Sequence, residues 1–393
     1  MRSNPLSFLD TELDNLRSQG LHRSLRILEQ RQEATTTFDR KSVVNLSSNN
    51  YLGLTTHPLL IERALAATKE FGVGSGSVRS IAGTMAIHME LEKRLATFKK
   101  VEAVVVFQSG FAANAGTVSA ILTKDDAIIS DQLNHASIID GARLSKATIK
   151  VFPHKDVDAA RKILQELPAT QRKLLITDGV FSMDGDLGAL PALCDLAEEF
   201  GAIMMVDDAH ASGVFGANGR GTIDHFNVHG RVDIQVGTLS KAVGALGGYV
   251  AGNASLIDFL YHRARPFLFS TSHPPSVAAT CIAALDVLEN EPQIIERLWD
   301  NTRFFKKGLE TLGFDTGLSE SPITPVIAGE GSRAMKLSDR LFQEGVFAQG
   351  IAFPTVARDK ARVRTIVTAT HTKDELQFAL DKFKLVGTEL GLI

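Results

Sequence analysis

Asp233-Ile-Gln-Val-Gly-Thr-Leu-Ser-Lys241-Ala-Val-Gly-Ala-Leu-Gly-Gly248 is the stretch whose reading decides the fold. A short apolar strand pattern runs into Thr-Leu-Ser-Lys, and a glycine-rich turn follows. Upstream, Ala202-Ile-Met-Met-Val-Asp207-Asp-Ala-His210 is a second buried-type strand that ends in a carboxylate and a histidine. A single lysine after a strand reads as a surface residue. Lys241 beside hydroxyls, with Asp207 at the end of another strand, reads as chemistry. The amine can form a Schiff base with an aldehyde, and the acid can sit against a pyridinium nitrogen. Pyridoxal phosphate needs this pair.

Working outward, helix and strand patterns alternate from Met85 onward. Helix Met85–Phe98 precedes strand Ala103–Phe107, and the turn Gln108-Ser-Gly-Phe111 opens an alanine-rich helix. Strand Ala127–Ser130, the segment Asp131-Gln-Leu-Asn-His135-Ala-Ser137 and a helix follow. Strand Thr148–Phe152, helix Val157–Leu167, strand Lys173–Thr177 and helix Pro191–Phe200 continue the series. This pattern predicts an α/β fold with a mostly parallel sheet and helices on both faces. Ligands in such sheets bind beyond the carboxyl ends of the strands. Ser109-Gly-Phe111, His135, Ser182, Asp207 to His210 and Thr238 to Lys241 all follow predicted strands.

The flanks read differently. Phe8, Leu9, Leu13, Leu16, Leu21, Leu25 and Leu28 have helical spacing, predicting an N-terminal helical arm. Val43 to Gly53 reads as a strand and turn, and His57-Pro58 starts a helix to about Phe71. A long helical region reaching Leu312 leads into an α+β tail with strands Pro325–Ala328 and Val346–Gly350 and helices Arg333–Gln343 and Lys373–Leu390. The expected organisation is an arm and strand over 1–52, a large cofactor domain over 53–285 and a smaller C-terminal domain over 286–393.

Totals narrow the class. The chain has 393 residues, 44% of them hydrophobic and 22% charged, so a sizeable core is available. Net charge is -3 with no long run of one sign, which gives nucleic acid and anionic membranes no footing. The two cysteines, Cys194 and Cys281, lie in apolar helical stretches and exclude a disulfide framework. The first residues reach an acid before any apolar stretch of signal-peptide length, and no apolar run is long enough to span a membrane. A cytoplasmic enzyme is expected.

Each polar site has a plain alternative. Ser109-Gly-Phe111 can offer amides to a phosphate or simply cap a helix. His135 can lie on a cofactor ring or be a hydrogen-bonded structural residue. Asp207 can pair with a ring nitrogen or cap a turn. Thr238 and Ser240 can hold phosphate or cap. Arg364 can clamp a carboxylate or form a surface ion pair. Asp207, Asp208 and His210 lack the further ligands a metal would need. No Gly-x-Ser-x-Gly elbow supports a serine hydrolase.

Together these residues resemble the α-oxoamine synthases, fold-type I enzymes that use pyridoxal phosphate. The likeness includes Ser47-Ser-Asn-Asn-Tyr-Leu-Gly53, Gly74-Ser-Gly-Ser-Val-Arg79, Asp131 to Ser137, Asp178-Gly-Val-Phe-Ser-Met-Asp-Gly185, Val206 to His210, Gly219-Arg-Gly221 and Gly237 to Lys241. Members condense an amino acid with an acyl-CoA. The resemblance implies that Lys241 binds the cofactor aldehyde and moves protons, Asp207 pairs with the ring nitrogen and His135 stacks on the ring. It places His210 and Ser182 near the phenolic oxygen, and Gly110, Phe111, Thr238 and Ser240 around the phosphate. Thr271 and Ser272 look like residues lent by a second subunit, implying a homodimer with shared sites. Asn49 and Arg364 look like carboxylate anchors, and Thr355 like a substrate contact.

Within the family, Asp178 to Gly185, Leu133 to Gly141 and Ala361 to Thr365 are most similar to the glycine C-acetyltransferase branch (2-amino-3-ketobutyrate CoA ligase). That branch joins glycine to acetyl-CoA in threonine breakdown, alongside a threonine dehydrogenase. Phe269-Ser-Thr-Ser-His-Pro-Pro275 and Pro354-Thr355 lean instead to the 8-amino-7-oxononanoate synthases of biotin synthesis, which use L-alanine and a pimeloyl thioester. A broad enzyme doing both stays open, as do an aminotransferase that needs no thioester and a non-catalytic relative.

Overall fold

The structure, a computed structural model, describes residues 4–19, 22 and 25–393. At its centre is a seven-stranded sheet in the order Ala103–Phe107, Gly248–Gly252, Ile234–Thr238, Ile203–Asp207, Lys173–Asp178, Ala127–Asp131, Thr148–Phe152. Only Gly248–Gly252 runs against its neighbours. The fold is the expected α/β, fold-type I arrangement.

The strands alternate between two cores, as a period of two dictates. Leu174, Ile176, Met205, Ile234, Val236 and Val250 face one side, where Ala113 and Val118 of helix Gly110–Ile121 and Ile138 and Ala142 of helix Ala136–Ser145 cover them. Leu175, Met204 and Val206 face the other, against Leu193, Leu196 and Ala197 of helix Leu190–Phe200 and Leu164 of helix Val157–Glu166. Burial on both faces explains why these strands are continuous apolar runs. The polar residues of the site are therefore pushed to strand ends.

Four elements differ from the sequence reading. Gly248 reads from the sequence as the end of a turn and residues 249–252 carry no assignment, yet Gly248–Gly252 is a fully buried strand between two others. Glycine is required at its start because neighbouring backbone comes close. A Cβ on Gly248 would lie 2.5 Å from the Gly110 amide nitrogen. Val346–Gly350 splits: Val346–Phe347 pairs in parallel with Lys41–Asn45, and Gln349–Ile351 pairs with Ala361–Ile366. The long helical region breaks into Pro275–Asn290 and Gln293–Leu312 around Pro292, which cannot donate to a preceding turn. The N-terminal helix spans only Phe8–Ser18 and buries none of its side chains. Leu21 lies outside the described residues, and Leu28 forms an antiparallel bridge to Phe38. Among the described residues, no helix is long and apolar enough to cross a membrane.

Gly248→Ala is expected to destabilise the protein by about 1–3 kcal/mol, because the added methyl must displace the Ser109–Gly110 turn. The same shift should weaken cofactor retention. Thermal melting with and without added pyridoxal phosphate checks both effects.

Candidate active site

Strand ends from across the sheet converge on one cavity of about 200 Å³. Its walls include Gly110, Phe111, His135, Ser182, Asp207, His210, Thr238, Ser240 and Lys241, all expected from the sequence.

Helix Gly110–Ile121 begins at this cavity. Ser109 caps it, its hydroxyl oxygen accepting from the Ala112 N–H at 3.0 Å. The preceding amides, on Gly110 and Phe111, have no intrahelical acceptor and carry the positive end of the helix dipole. Across from them Thr238 donates from its hydroxyl to the Gly247 carbonyl at 2.9 Å and meets the Ser240 hydroxyl at 2.8 Å. Amides and hydroxyls so arranged form an anion cradle.

Asp207 ends its strand with its carboxylate buried. One oxygen accepts from the Ala209 N–H at 2.9 Å and the other from Asn114 Nδ2 at 2.6 Å. Both donors are neutral, so neither brings a positive charge to the carboxylate. Asp178 lies close by, and burial together with the Asp207 charge pushes its carboxyl well above the usual range. Burial lowers the Lys241 amine to about 8, with Asp207 and Asp178 opposing that shift and Arg364 assisting it.

Both site histidines are held neutral. Burial lowers His135, with Lys241 adding to the effect and Asp207 countering it. His135 Nδ1 accepts from the Ser137 N–H at 3.2 Å, leaving Nε2 as the protonated nitrogen. Its backbone N–H donates to Asp178 Oδ2 at 3.1 Å. His210 is pushed well below its ordinary value by burial and then by the Lys241 charge. The Tyr51 hydroxyl lies 2.7 Å from His210 Nδ1. Burial raises the Tyr51 phenol, so it keeps its proton and donates it. His210 therefore carries its hydrogen on Nε2.

The other expected residues do not line the cavity. Arg364 stands on strand Ala361–Ile366 behind Ser182, donating to its carbonyl at 3.1 Å, while its Nε is buried without a partner. Asn49 Oδ1 is likewise buried and unpartnered. Thr355 is exposed on the loop after Ile351. Thr271 is exposed, and its carbonyl accepts from Gln108 Nε2 at 2.8 Å. The Ser272 hydroxyl is buried between Ser75 Oγ at 2.6 Å and the Gly83 carbonyl at 2.7 Å.

The sequence reading gave no role to four residues here: Tyr51, Asn114, Ser137 and Asp178. Tyr51, Ser137 and Asp178 stood inside quoted motifs. Asn114 sits in an alanine-rich helix, where a lone amide facing the sheet was the available signal.

The aminotransferase class I and II family model matches residues 41–383. The 8-amino-7-oxononanoate synthase of Symbiobacterium thermophilum is 59% identical over 387 residues, covering 98% of this chain and 99% of that one. The 8-amino-7-oxononanoate synthase 1 of Bacillus subtilis is 54% identical over 386 residues, with 98% of each chain covered. A solved serine palmitoyltransferase variant from S. paucimobilis, with a PLP–myriocin aldimine bound, superposes with a TM-score of 0.93 at 32% identity. It covers 99% of this chain and 98% of that one.

These relatives overturn the expectation of a glycine C-acetyltransferase, and with it threonine breakdown and a threonine dehydrogenase partner. Of the three segments that pointed there, Asp178–Gly185 and Leu133–Gly141 build the turns that carry Ser182 and His135 to the cavity, and Ala361–Thr365 lies on the strand that holds Arg364 behind Ser182. The chain belongs to the aminotransferase class I and II family and, within it, to the α-oxoamine synthases, acyltransferase-type enzymes that depend on pyridoxal phosphate.

Proposed function

We propose that this chain is an 8-amino-7-oxononanoate synthase, which joins L-alanine to a pimeloyl thioester and releases the thiol and CO2. The observation that carries the reading is identity above one half, over nearly the whole chain, with two relatives of that name. Phe269 to Pro275 and Pro354-Thr355 lean the same way.

The cavity residues fit the cofactor. The Gly110 and Phe111 amides with Thr238 and Ser240 suit a phosphate, and Asp207, whose bonding partners are neutral, suits a cationic ring N–H. Ser182 and His210 Nε2 are donors suited to a phenolic oxygen. Exposed Thr271 is assigned to the cradle of a second copy, so the working unit is a homodimer; Ser272, its hydroxyl spent on Ser75 and Gly83, supports that loop instead of reaching across. When bound, pyridoxal phosphate supplies an aldehyde to hold the amino group and a ring that takes up an electron pair released at the α-carbon.

The chain's own residues do the rest. Arg364, whose Nε–H is an unused donor, and Asn49, through its side-chain NH2, are assigned to the amino-acid carboxylate. Thr355 is assigned to the acyl side. His135 would stack on the cofactor ring as a neutral imidazole, adding no charge that would compete with Asp207. Lys241 Nζ takes the α-proton and later returns one. An amine near pH 8 in this environment is suited to both directions of transfer.

Thiol release from purified protein with pyridoxal phosphate tests the reading. L-Alanine with pimeloyl-CoA should outpace glycine with acetyl-CoA by about 10²-fold in kcat/KM, as selection by a fitted pocket allows. A dominant rate with L-serine and palmitoyl-CoA, or no thiol release from any pair, refutes it.

Tyr51→Phe removes the donor that fixes the His210 tautomer. Turnover should fall roughly five- to tenfold, the worth of one buried hydrogen bond. Unchanged turnover would mean that the His210 tautomer does not matter to the reaction.

A further inference from the structure

One charged cluster lies outside the cavity and has no part in the chemistry above. His154 follows the edge strand Thr148–Phe152. Its Nδ1 is 3.0 and 3.2 Å from the two oxygens of Asp131, and its Nε2 is 2.9 Å from Asp186 Oδ2. Its ring stands edge-on to Phe181, with centroids 4.3 Å apart. An imidazole with a carboxylate on each nitrogen must donate from both, so it is an imidazolium. Burial lowers its pKa, but the two carboxylate hydrogen bonds and charges outweigh that and raise it to about 9.

The cluster joins two loops of the cavity. Asp131 Oδ1 accepts from the Leu133 N–H at 2.9 Å, and so shapes the turn that delivers His135. Asp186 closes the turn that carries Ser182: its carbonyl accepts from the Phe181 N–H at 3.0 Å, and the Phe181 carbonyl accepts from the Gly185 N–H at 2.8 Å. These two loops come from different strand ends, and the imidazolium spans them. Lys155 Nζ reinforces Asp186 at 3.1 Å and lies 3.7 Å from Glu320. The charged groups facing His154 are therefore Asp131, Asp186 and Lys155, with Glu320 behind them.

We propose that His154 is a positioning residue: a cationic clamp that ties the His135 turn to the Ser182 turn and so sets the width of the catalytic cavity. The proposal rests on His135 and Ser182 being site residues, as assigned above. Displacing a site group by a fraction of an ångström is costly in a reaction that depends on alignment. The clamp holds below about pH 9 and is released as the imidazole loses its proton.

The test compares holoenzyme kinetics of wild type, His154→Gln, Asp186→Asn and Ser182→Ala between about pH 7 and 10, bracketing the imidazole's titration. Near neutral pH, His154→Gln should lower kcat by about tenfold, with a smaller change in KM. The ratio of wild-type to variant kcat should then shrink toward one as pH rises through about 9, because the wild type loses its own clamp. A packing role alone would leave that ratio flat. Asp186→Asn cuts the same bridge from the other side and should give the same pH-dependent ratio should His154→Gln fold poorly. A flat ratio in both variants, or wild-type kcat in both while Ser182→Ala is impaired, overturns the clamp. An unimpaired Ser182→Ala would instead refute the site assignment.

Discussion

Lys241→Ala should lower turnover of L-alanine with pimeloyl-CoA by about 10⁴-fold, near the upper range for loss of an acid–base group. Two functions leave with one side chain: the amine that meets the cofactor aldehyde and the base that moves the α-proton. The fold should survive. Lys241 sits after its strand, in a turn held by backbone hydrogen bonds, Leu239 N–H to the Gly247 carbonyl at 2.9 Å and Ala245 N–H to the Leu239 carbonyl at 2.9 Å. Removing an amine that burial already pushes down to about 8 also removes an unfavourable desolvation. Far-ultraviolet circular dichroism and melting should therefore match wild type, while the visible cofactor spectrum changes. A variant retaining a tenth of the activity, by order of magnitude, would rule Lys241 out as the proton carrier.

The placement of Lys241 was legible because buried parallel strands are continuous apolar runs. A polar residue that interrupts one most simply marks its end. The same logic located Asp207, Thr238, His135 and Ser182. It failed for Gly248–Gly252, whose first glycine read as part of a turn although it is there to let strand and helix-start backbones approach. It failed again at Val346–Gly350, where one apolar pattern serves two sheets. Neither choice is local: each depends on which backbone lies alongside.

The supporting residues were less legible for a related reason. Asn114 holds Asp207 from a helix 93 positions earlier, and Tyr51 reaches His210 across 159. No local periodicity encodes such a pair. Substrate preference was misread because motifs at the strand ends of the cavity, Asp178 to Gly185 and Leu133 to Gly141, weighed most in the comparison. Phe269 to Pro275 and Pro354-Thr355 pointed to the better-supported branch, but two short segments were outweighed by three.

Asp207→Asn is the sharpest test of the electrostatic design, since it changes a charge and almost nothing else. The oxygen of the new side-chain amide can keep the Ala209 N–H, now held at 2.9 Å. Its NH2 group would face Asn114 Nδ2, a donor against a donor. Asn114 Oδ1, however, is buried without a partner. Turning the Asn114 amide over brings that oxygen round to accept from the new NH2, so the contact is restored as a hydrogen bond between neutral groups. The turn leaves an Asn114 N–H where an unpartnered oxygen had been, and sets Oδ1 against Ser137 Oγ, which Asn114 Nδ2 reaches at 2.9 Å. The Ser137 hydroxyl must then turn its hydrogen to that oxygen, while the Ser137 N–H keeps its bond to His135 Nδ1. A buried ion is gone as well, so the apoprotein should melt close to wild type. Turnover should nevertheless fall by about 10³-fold, because a neutral amide cannot hold the ring nitrogen protonated when charge develops. Loss of activity together with a much lower melting temperature would mean that Asp207 acts as a structural cap. Activity within about tenfold of wild type would mean that the carboxylate is not paired with the cofactor ring. Only a folded, cofactor-binding and nearly inactive variant fits a buried carboxylate, hydrogen-bonded to neutral donors, whose work is to pair with a cationic ring nitrogen.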